Sequence, residues 1–241
     1  IIEQSQWFFV DDLQTHKALT YTFENINEVK NRATTLMYKN REKFNEAKHS
    51  SKNEMNYLKS IKIKPKIIKI DKSTINRTVQ LCQKTNQFNL RTKIYNTNDI
   101  KKLNQKDICF LVHLKDNYGN HGIISFICLK IVENKFLFID TFLMSCRILG
   151  RHLESWILNE IKKLAIRKKI NFVLAEYIPT KRNQVAKDFI LKNNFKKISK
   201  EKVNNYNIFF KKLINENSNS EFYSLTRDSI IPNLEIYERS K

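Results

Sequence analysis

Seven consecutive residues, Cys146-Arg147-Ile148-Leu149-Gly150-Arg151-His152, gather a thiol, two guanidinium groups, an imidazole and a glycine. They follow an apolar run ending at Met144 and Ser145, and they precede a helical stripe that begins at Leu153. The first N–H groups of a helix lack internal partners, and the helix dipole places partial positive charge there. A pyrophosphate can sit on such amides, and Gly150 lets the backbone approach it closely. The same setting favours thiolate, so Cys146 could carry an acyl group or meet a thioester. Its plainer role is a buried packing cysteine. Glu176, at the end of a second apolar run, could act as a general base or be a paired carboxylate. His113 and His121 flank a turn and are read as non-catalytic.

The elements that hold these residues follow from periodicity. Leu90–Tyr95 reads as a short strand and Thr97–Leu103 as a short helix. Ile108–Lys115, Ile123–Val132 and Phe136–Met144 read as three strands of a meander. The turn Asp116–Gly122, with Asn117, Gly119, Asn120 and Gly122, carries hairpin chemistry. Leu153, Trp156, Ile157, Ile161, Leu164 and Ala165 then form a helical stripe. Phe172–Tyr177 is a strand, and Val185, Ala186, Phe189 and Ile190 face inward on a second helix closed by Asn194 and Phe195. Tyr206–Lys211 is expected as the last strand. Upstream, Glu24–Ala47 and Asn53–Ser60 read as helices. Pro65 limits the Lys/Ile alternation of Ile61–Ile70 to an edge strand or a linker. The expected division is a helical arm over 1–70, a folded domain over 71–215 and a C-terminal tail over 216–241.

The bulk numbers bound the function. The 241 residues are 41% hydrophobic and 28% charged, a globular balance. No apolar run approaches the roughly 20 residues of a membrane-crossing helix. Four widely spaced cysteines match no zinc pattern, so no metal is expected, and the thiols fit a reduced, cytoplasmic setting. The net charge of +20 points to an acidic partner. Lysine outnumbers arginine, accompanied by heavy Asn and Ile usage, and the basic residues are scattered. Both features argue against nucleic acid. The chain opens at Ile1 without a methionine, which suggests a fragment boundary.

Three motifs carry a resemblance. The loop around Arg147 and Gly150 is similar to the acyl-CoA loop of GNAT acyltransferases, Gln/Arg-x-x-Gly-x-Gly/Ala, with His152 where that family has a small residue. The order β, α, β, β, β, α, β, α, β from Leu90 onward is also that of the GNAT fold, an α/β (α+β) arrangement of a mixed, mostly antiparallel sheet flanked by helices. More specifically, Gln83-Lys84-Thr85-Asn86-Gln87-Phe88-Asn89-Leu90 resembles the Lys-Thr-Asn-Gln-Phe-Asn motif of FkbH-like proteins, the HAD-superfamily subfamily IIIC. Asp140-Thr141-Phe142-Leu143-Met144-Ser145-Cys146-Arg147 through Gly150-Arg151 matches a second stretch of that family. Tyr177-Ile178-Pro179-Thr180-Lys181 and Asn183 match a third. Glu28, Arg32, Met37, Tyr38 and Arg41 resemble its bridging helix.

The resemblance implies a two-part enzyme that loads a glyceryl-type acyl unit onto an acyl carrier protein, as in polyketide biosynthesis. A haloacid-dehalogenase-type phosphatase domain would precede this GNAT-like half or lie on a separate chain. The Asp-x-Asp-x-Thr/Val nucleophile motif is absent from this sequence, and Val10-Asp11-Asp12, which resembles a metal-binding Asp pair of that domain, lies too near the bridging helix for the likeness to count. No phosphatase activity is expected from this chain alone. The implied ligand is a carrier-bound phosphopantetheine thioester or an acyl-CoA. Met144, Ser145, Arg147, Gly150, Arg151, His152 and Asn183 would hold it, with Cys146 and Glu176 catalytic. Lys84, Thr85, Asn86, Gln87, Asn89, Tyr177 and Thr180 would line a polar pocket, or instead tie the entering helix, read over Asp71–Gln87, to the first strand. The alternatives are a self-sufficient CoA-dependent N-acyltransferase, against which His152 argues, and a non-catalytic GNAT-fold binding module.

Overall fold

The computed structural model describes residues 35–36, 38–199, 201 and 219–237. Contacts divide the chain into two units, Ile1–Ala47 and Lys48–Lys241. Residues 38–50 are helical (α1). The expected Tyr206–Lys211 strand, and the expected first helix up to residue 34, lie outside the described residues. Among the described residues no helix is long and apolar enough to cross a membrane. No cluster of three or more His, Cys, Asp or Glu could hold a metal ion there either.

Among the described residues, the second unit is built on one eight-stranded sheet. Helix α2 (Glu54–Ser60) leads into β1 (Lys64–Ile68), followed by α3 (Ile75–Lys84), β2 (Phe88–Asn89) and α4 (Thr97–Lys106). The meander β3 (Ile108–Asp116), β4 (Gly119–Val132) and β5 (Phe136–Met144) comes next. Then come α5 (Leu153–Arg167), β6 (Phe172–Tyr177), α6 (Gln184–Lys192), β7 (Lys196–Ile198) and β8 (Glu221–Thr226). The spatial order is β1-β3-β4-β5-β6-β8-β7, and β2 pairs separately with β5.

Local chemistry explains most of these elements. Asn96 caps α4 reciprocally with Asp99. Asp116 accepts a hydrogen bond from the Tyr118 N–H in the two-residue β3–β4 turn, and Gly119 takes the positive φ that the turn requires. Glu133 and Asn134, both left-handed, turn β4 into β5. On one face of the sheet, α3 and α4 pack Leu81, Cys82 and Ile100 onto Leu111, Phe126, Cys128 and Leu143. Elsewhere Phe88, Phe142 and Phe189 meet edge to face at 5.1–5.4 Å. Such pairs add about 0.5–1.5 kcal/mol each beyond burial.

The sequence expectations need four corrections. Residues 48–70 are not an arm, because β1 pairs with β3 from Lys64↔Lys115 to Ile68↔Leu111. Pro65 sits on that edge strand, where a missing N–H costs least. The tail is not structureless: Glu221–Thr226 pairs with β6 over six residues and separates β6 from β7. Strand β2 is Phe88–Asn89 rather than Leu90–Tyr95. On α6, Val185 is exposed, and the inward stripe is Ala186, Phe189 and Ile190.

Candidate functional site: the split between two parallel strands

Strands β5 and β6 run parallel and pair only from Phe136↔Phe172 to Ile139↔Ala175. One residue further, β5 carries a bulge. Ile139 lies opposite Leu129 and Thr141 opposite Cys128, so Asp140 has no partner on β4. An extra residue bends a strand and re-aims its side chain. Beyond it, β5 and β6 are no longer paired with each other.

The chain itself fills that split. Phe88 pairs with Met144 and Asn89 with Leu143. The Leu90 N–H donates to the Phe142 carbonyl at 3.3 Å, and the Leu90 carbonyl accepts from the Ile178 N–H at 2.9 Å. Phe88-Asn89-Leu90 therefore ties β5 to the end of β6.

Side chains lock this plug. Asn183, fully buried, donates through Nδ2 to the carbonyls of Asn89 (3.0 Å) and Ile178 (2.9 Å). Its Oδ1 accepts from the Thr180 N–H (2.8 Å) and the Tyr177 hydroxyl (3.0 Å). Asn89 donates to the Thr85 carbonyl at 3.2 Å and accepts from the Thr92 N–H at 2.9 Å. Arg91 follows, 4% exposed. Its Nη1 lies 2.8 Å from Asp140 Oδ1 and its Nε 2.7 Å from Glu176 Oε2. Tyr95 donates to Asp140 Oδ2 at 2.9 Å, and Lys93 Nζ reaches Oδ1 at 3.1 Å. Burial alone would raise the Asp140 carboxyl, but Arg91, Lys93 and Lys130 outweigh it and hold it below its ordinary value.

The second polar group is the loop after β5. Met144 is buried, and the Ser145 N–H donates to the carbonyl of Ile124 at 2.8 Å. Cys146 is half-buried and opens a 3-10 turn, Cys146–Ile148, which separates it from the start of α5. Arg147 Nε donates to the Ser145 hydroxyl at 3.2 Å. Gly150 has φ +88°, and its carbonyl accepts from Lys48 Nζ at 3.1 Å. Arg151 is turned inward, 2.8 Å from Asp116. His152, left-handed at φ 54°, occupies the N-cap position of α5 without a side-chain cap. Its Nε2 lies 3.2 Å from Glu54 Oε1, and Lys48 lies 2.9 Å from the same oxygen. The other ring nitrogen is 4.0 Å from Glu154. Glu154 Oε2 is buried with no hydrogen-bond partner, and burial holds this carboxyl above its ordinary value.

The structure thus sorts the sequence candidates. Thr85, Asn89, Glu176, Tyr177, Thr180 and Asn183 converge on the split. Met144 through His152 form the loop, with the side chains of Arg151 and His152 committed to Asp116 and Glu54. Lys84, Asn86 and Gln87 are exposed on the approach to β2. Glu176 is fully buried against Arg91, the arrangement of a paired carboxylate. Arg91, Asp140 and Tyr95 were not singled out as site residues. The available signal was Asp140, a lone charge inside the apolar run Phe136–Met144, because a buried charge requires a partner.

No family model matches the sequence, and no curated protein matches it. Solved structures do. An acetyltransferase from Streptococcus agalactiae superimposes with a TM-score of 0.50 at 13% identity, covering 68% of this chain and 98% of that one. A GNAT-family acetyltransferase from Staphylococcus aureus gives 0.50 and 13%, over 68% and 99%. The N-acetylglutamate synthase of Neisseria gonorrhoeae, solved with coenzyme A and N-acetyl-glutamate, gives 0.50 and 12%, over 67% of this chain and 35% of that one. At these identities the likeness establishes the GNAT acetyltransferase fold.

Proposed function

We propose that this GNAT-fold domain is the carrier-protein-docking part of an FkbH-like enzyme, working beside a haloacid-dehalogenase-type phosphatase domain that it does not itself contain. The acyl group would be a glyceryl-type unit passed to an acyl carrier protein as a phosphopantetheine thioester. One observation carries this reading: Thr85, Asn89, Tyr177, Thr180 and Asn183 of the FkbH-like motifs converge on the split. Thr85, Asn89, Tyr177 and Asn183 spend their polar atoms on β2 and its neighbours. A carboxylate that would deprotonate an incoming amine, Glu176, is spent on Arg91. Those features favour docking over a self-sufficient CoA-dependent N-acyltransferase. The net charge of +20 supports an acidic partner, whose encounter it would accelerate.

The test is calorimetric titration of the full chain with an acyl carrier protein and, separately, with acetyl-CoA. The expected result is carrier-protein binding that weakens as salt rises, as charge-steered association does, with no binding of acetyl-CoA. Acetyl-CoA binding with turnover on an amine would instead establish the CoA-dependent alternative. Mixing the chain with the carrier protein, a phosphatase partner and the phosphorylated donor then reads thioester formation by mass spectrometry.

A further inference from the structure

Three of the four cysteines lie in the core cluster beneath α3 and α4, and two of them face each other. Cys109 on β3 is the direct register partner of Cys128 on β4. Both belong to the same apolar face of the sheet, with Cys128 fully buried and Cys109 half-buried. Opposed residues of an antiparallel pair have Cα atoms about 4.5 or 5.5 Å apart, according to their place in the hydrogen-bond pattern. A disulfide needs a Cα separation of about 4.4–6.8 Å. Either place in the ladder therefore satisfies that distance without moving backbone. The Cys109 thiol beside it and burial push the Cys128 thiol up.

We propose that Cys109 and Cys128 form a reversible cross-strand dithiol–disulfide site. The co-reactant is a low-molecular-weight disulfide. The half-buried Cys109 attacks first as thiolate, its proton passing to water. Its sulfur bonds to one sulfur of the small disulfide, whose S–S bond breaks and releases one thiolate. Cys128 then loses its proton and attacks the Cys109 sulfur of the mixed disulfide, releasing the second thiolate. The protein loses two protons and two electrons, and the small disulfide gains them as two thiols. Burial disfavours the Cys128 thiolate, so the second step is the slow one. The site also binds a trivalent arsenical, which bridges two thiolates held at one place. The pair lies one strand from the split, since Cys128 is also the partner of Thr141, whose hydroxyl meets the Tyr95 hydroxyl at 2.8 Å.

The experiment treats the folded full chain with oxidised glutathione, traps remaining thiols by alkylation after denaturation, and maps the peptides. The expected product joins the Cys109 peptide to the Cys128 peptide, with a mass loss of two hydrogens that dithiothreitol restores. Glutathione adducts or linkages confined to Cys82 or Cys146, with Cys109 and Cys128 both alkylated, would overturn the proposal. A second measurement titrates the reduced chain with phenylarsine oxide. Two thiols held together bind it far more tightly than one, so Cys109→Ser should weaken binding at least roughly tenfold. Unchanged binding in Cys109→Ser also overturns it.

Discussion

Two groups of charged side chains lie along the end of β5, and they are built on opposite terms. In the split, Arg91 holds Asp140 and Glu176, all nearly without exposure, and Tyr95 and Lys93 complete the set. At the start of α5, Lys48, Glu54, His152 and Glu154 form a looser chain in which Glu54 is about half exposed at 47%. The first group is over-determined: removing one member strands the others in low dielectric. The second is near water and leaves one Glu154 oxygen unsatisfied. The first group is therefore architecture. The second is the part of the molecule whose charge a partner or a proton can change.

The comparison breaks most visibly at Arg91. Arg91→Ala takes the buried Glu176 from its cation and leaves Asp140 with Lys93 and Tyr95, and is expected to cost about 3–5 kcal/mol of stability, measured by denaturant unfolding. Replacing all three members together, with Arg91→Met, Asp140→Asn and Glu176→Gln, should cost clearly less. An equal or larger loss would mean that the ion pairs are not the source. Asn183→Ala is next, at about 3 kcal/mol, since it unpairs two carbonyls, an N–H and a hydroxyl inside the split.

Opposite slopes with pH sharpen the contrast. Asp140 is depressed in the folded state, so its stabilisation is present above its unfolded value near 3.9 and is lost as pH falls through the folded value. Glu154 is raised, so its contribution is present below the unfolded value and disappears as pH rises through the folded one. Glu154→Gln should therefore stabilise the chain at neutral pH, by about 1 kcal/mol, with no gain in acid. The smallest effect is expected at His152→Ala, within roughly 0.5 kcal/mol of the parent. A loss comparable to Arg91→Ala would erase the distinction between the two groups.

Periodicity exposed the frame that carries both groups. The alternating runs from Ile108 to Met144 gave the meander, and the stripe from Leu153 gave α5 with its inward face at Leu153, Ile157, Ile161 and Ala165. Turn chemistry placed the β3–β4 hairpin. What stayed hidden depends on partners distant in sequence. A two-residue strand has no period, and Phe88-Asn89 becomes one only because Met144 and Leu143 present a free edge beyond the Asp140 bulge. The bulge is likewise a property of the β4–β5 pairing. The segment Glu221–Thr226 alternates less cleanly, yet Phe222, Tyr223 and Leu225 are buried, and its aromatic content was the available signal. The loop's residue types were legible, but their pairing was not. Arg151 belongs to Asp116, 35 positions earlier, and His152 to Glu54, 98 positions earlier.

The position of β8 has a consequence for how the chain is made. Synthesis proceeds from the N-terminus, and domains begin to fold as they emerge. Strand β8 emerges after every other described strand, yet it belongs inside the sheet, between β6 and β7. Until Thr226 has left the ribosome, β6 shows a naked hydrogen-bonding edge beside Val173 and Ala175, the kind of edge on which nascent chains aggregate. A stop codon anywhere before Glu221 would make that transient exposure permanent, however complete the rest of the fold.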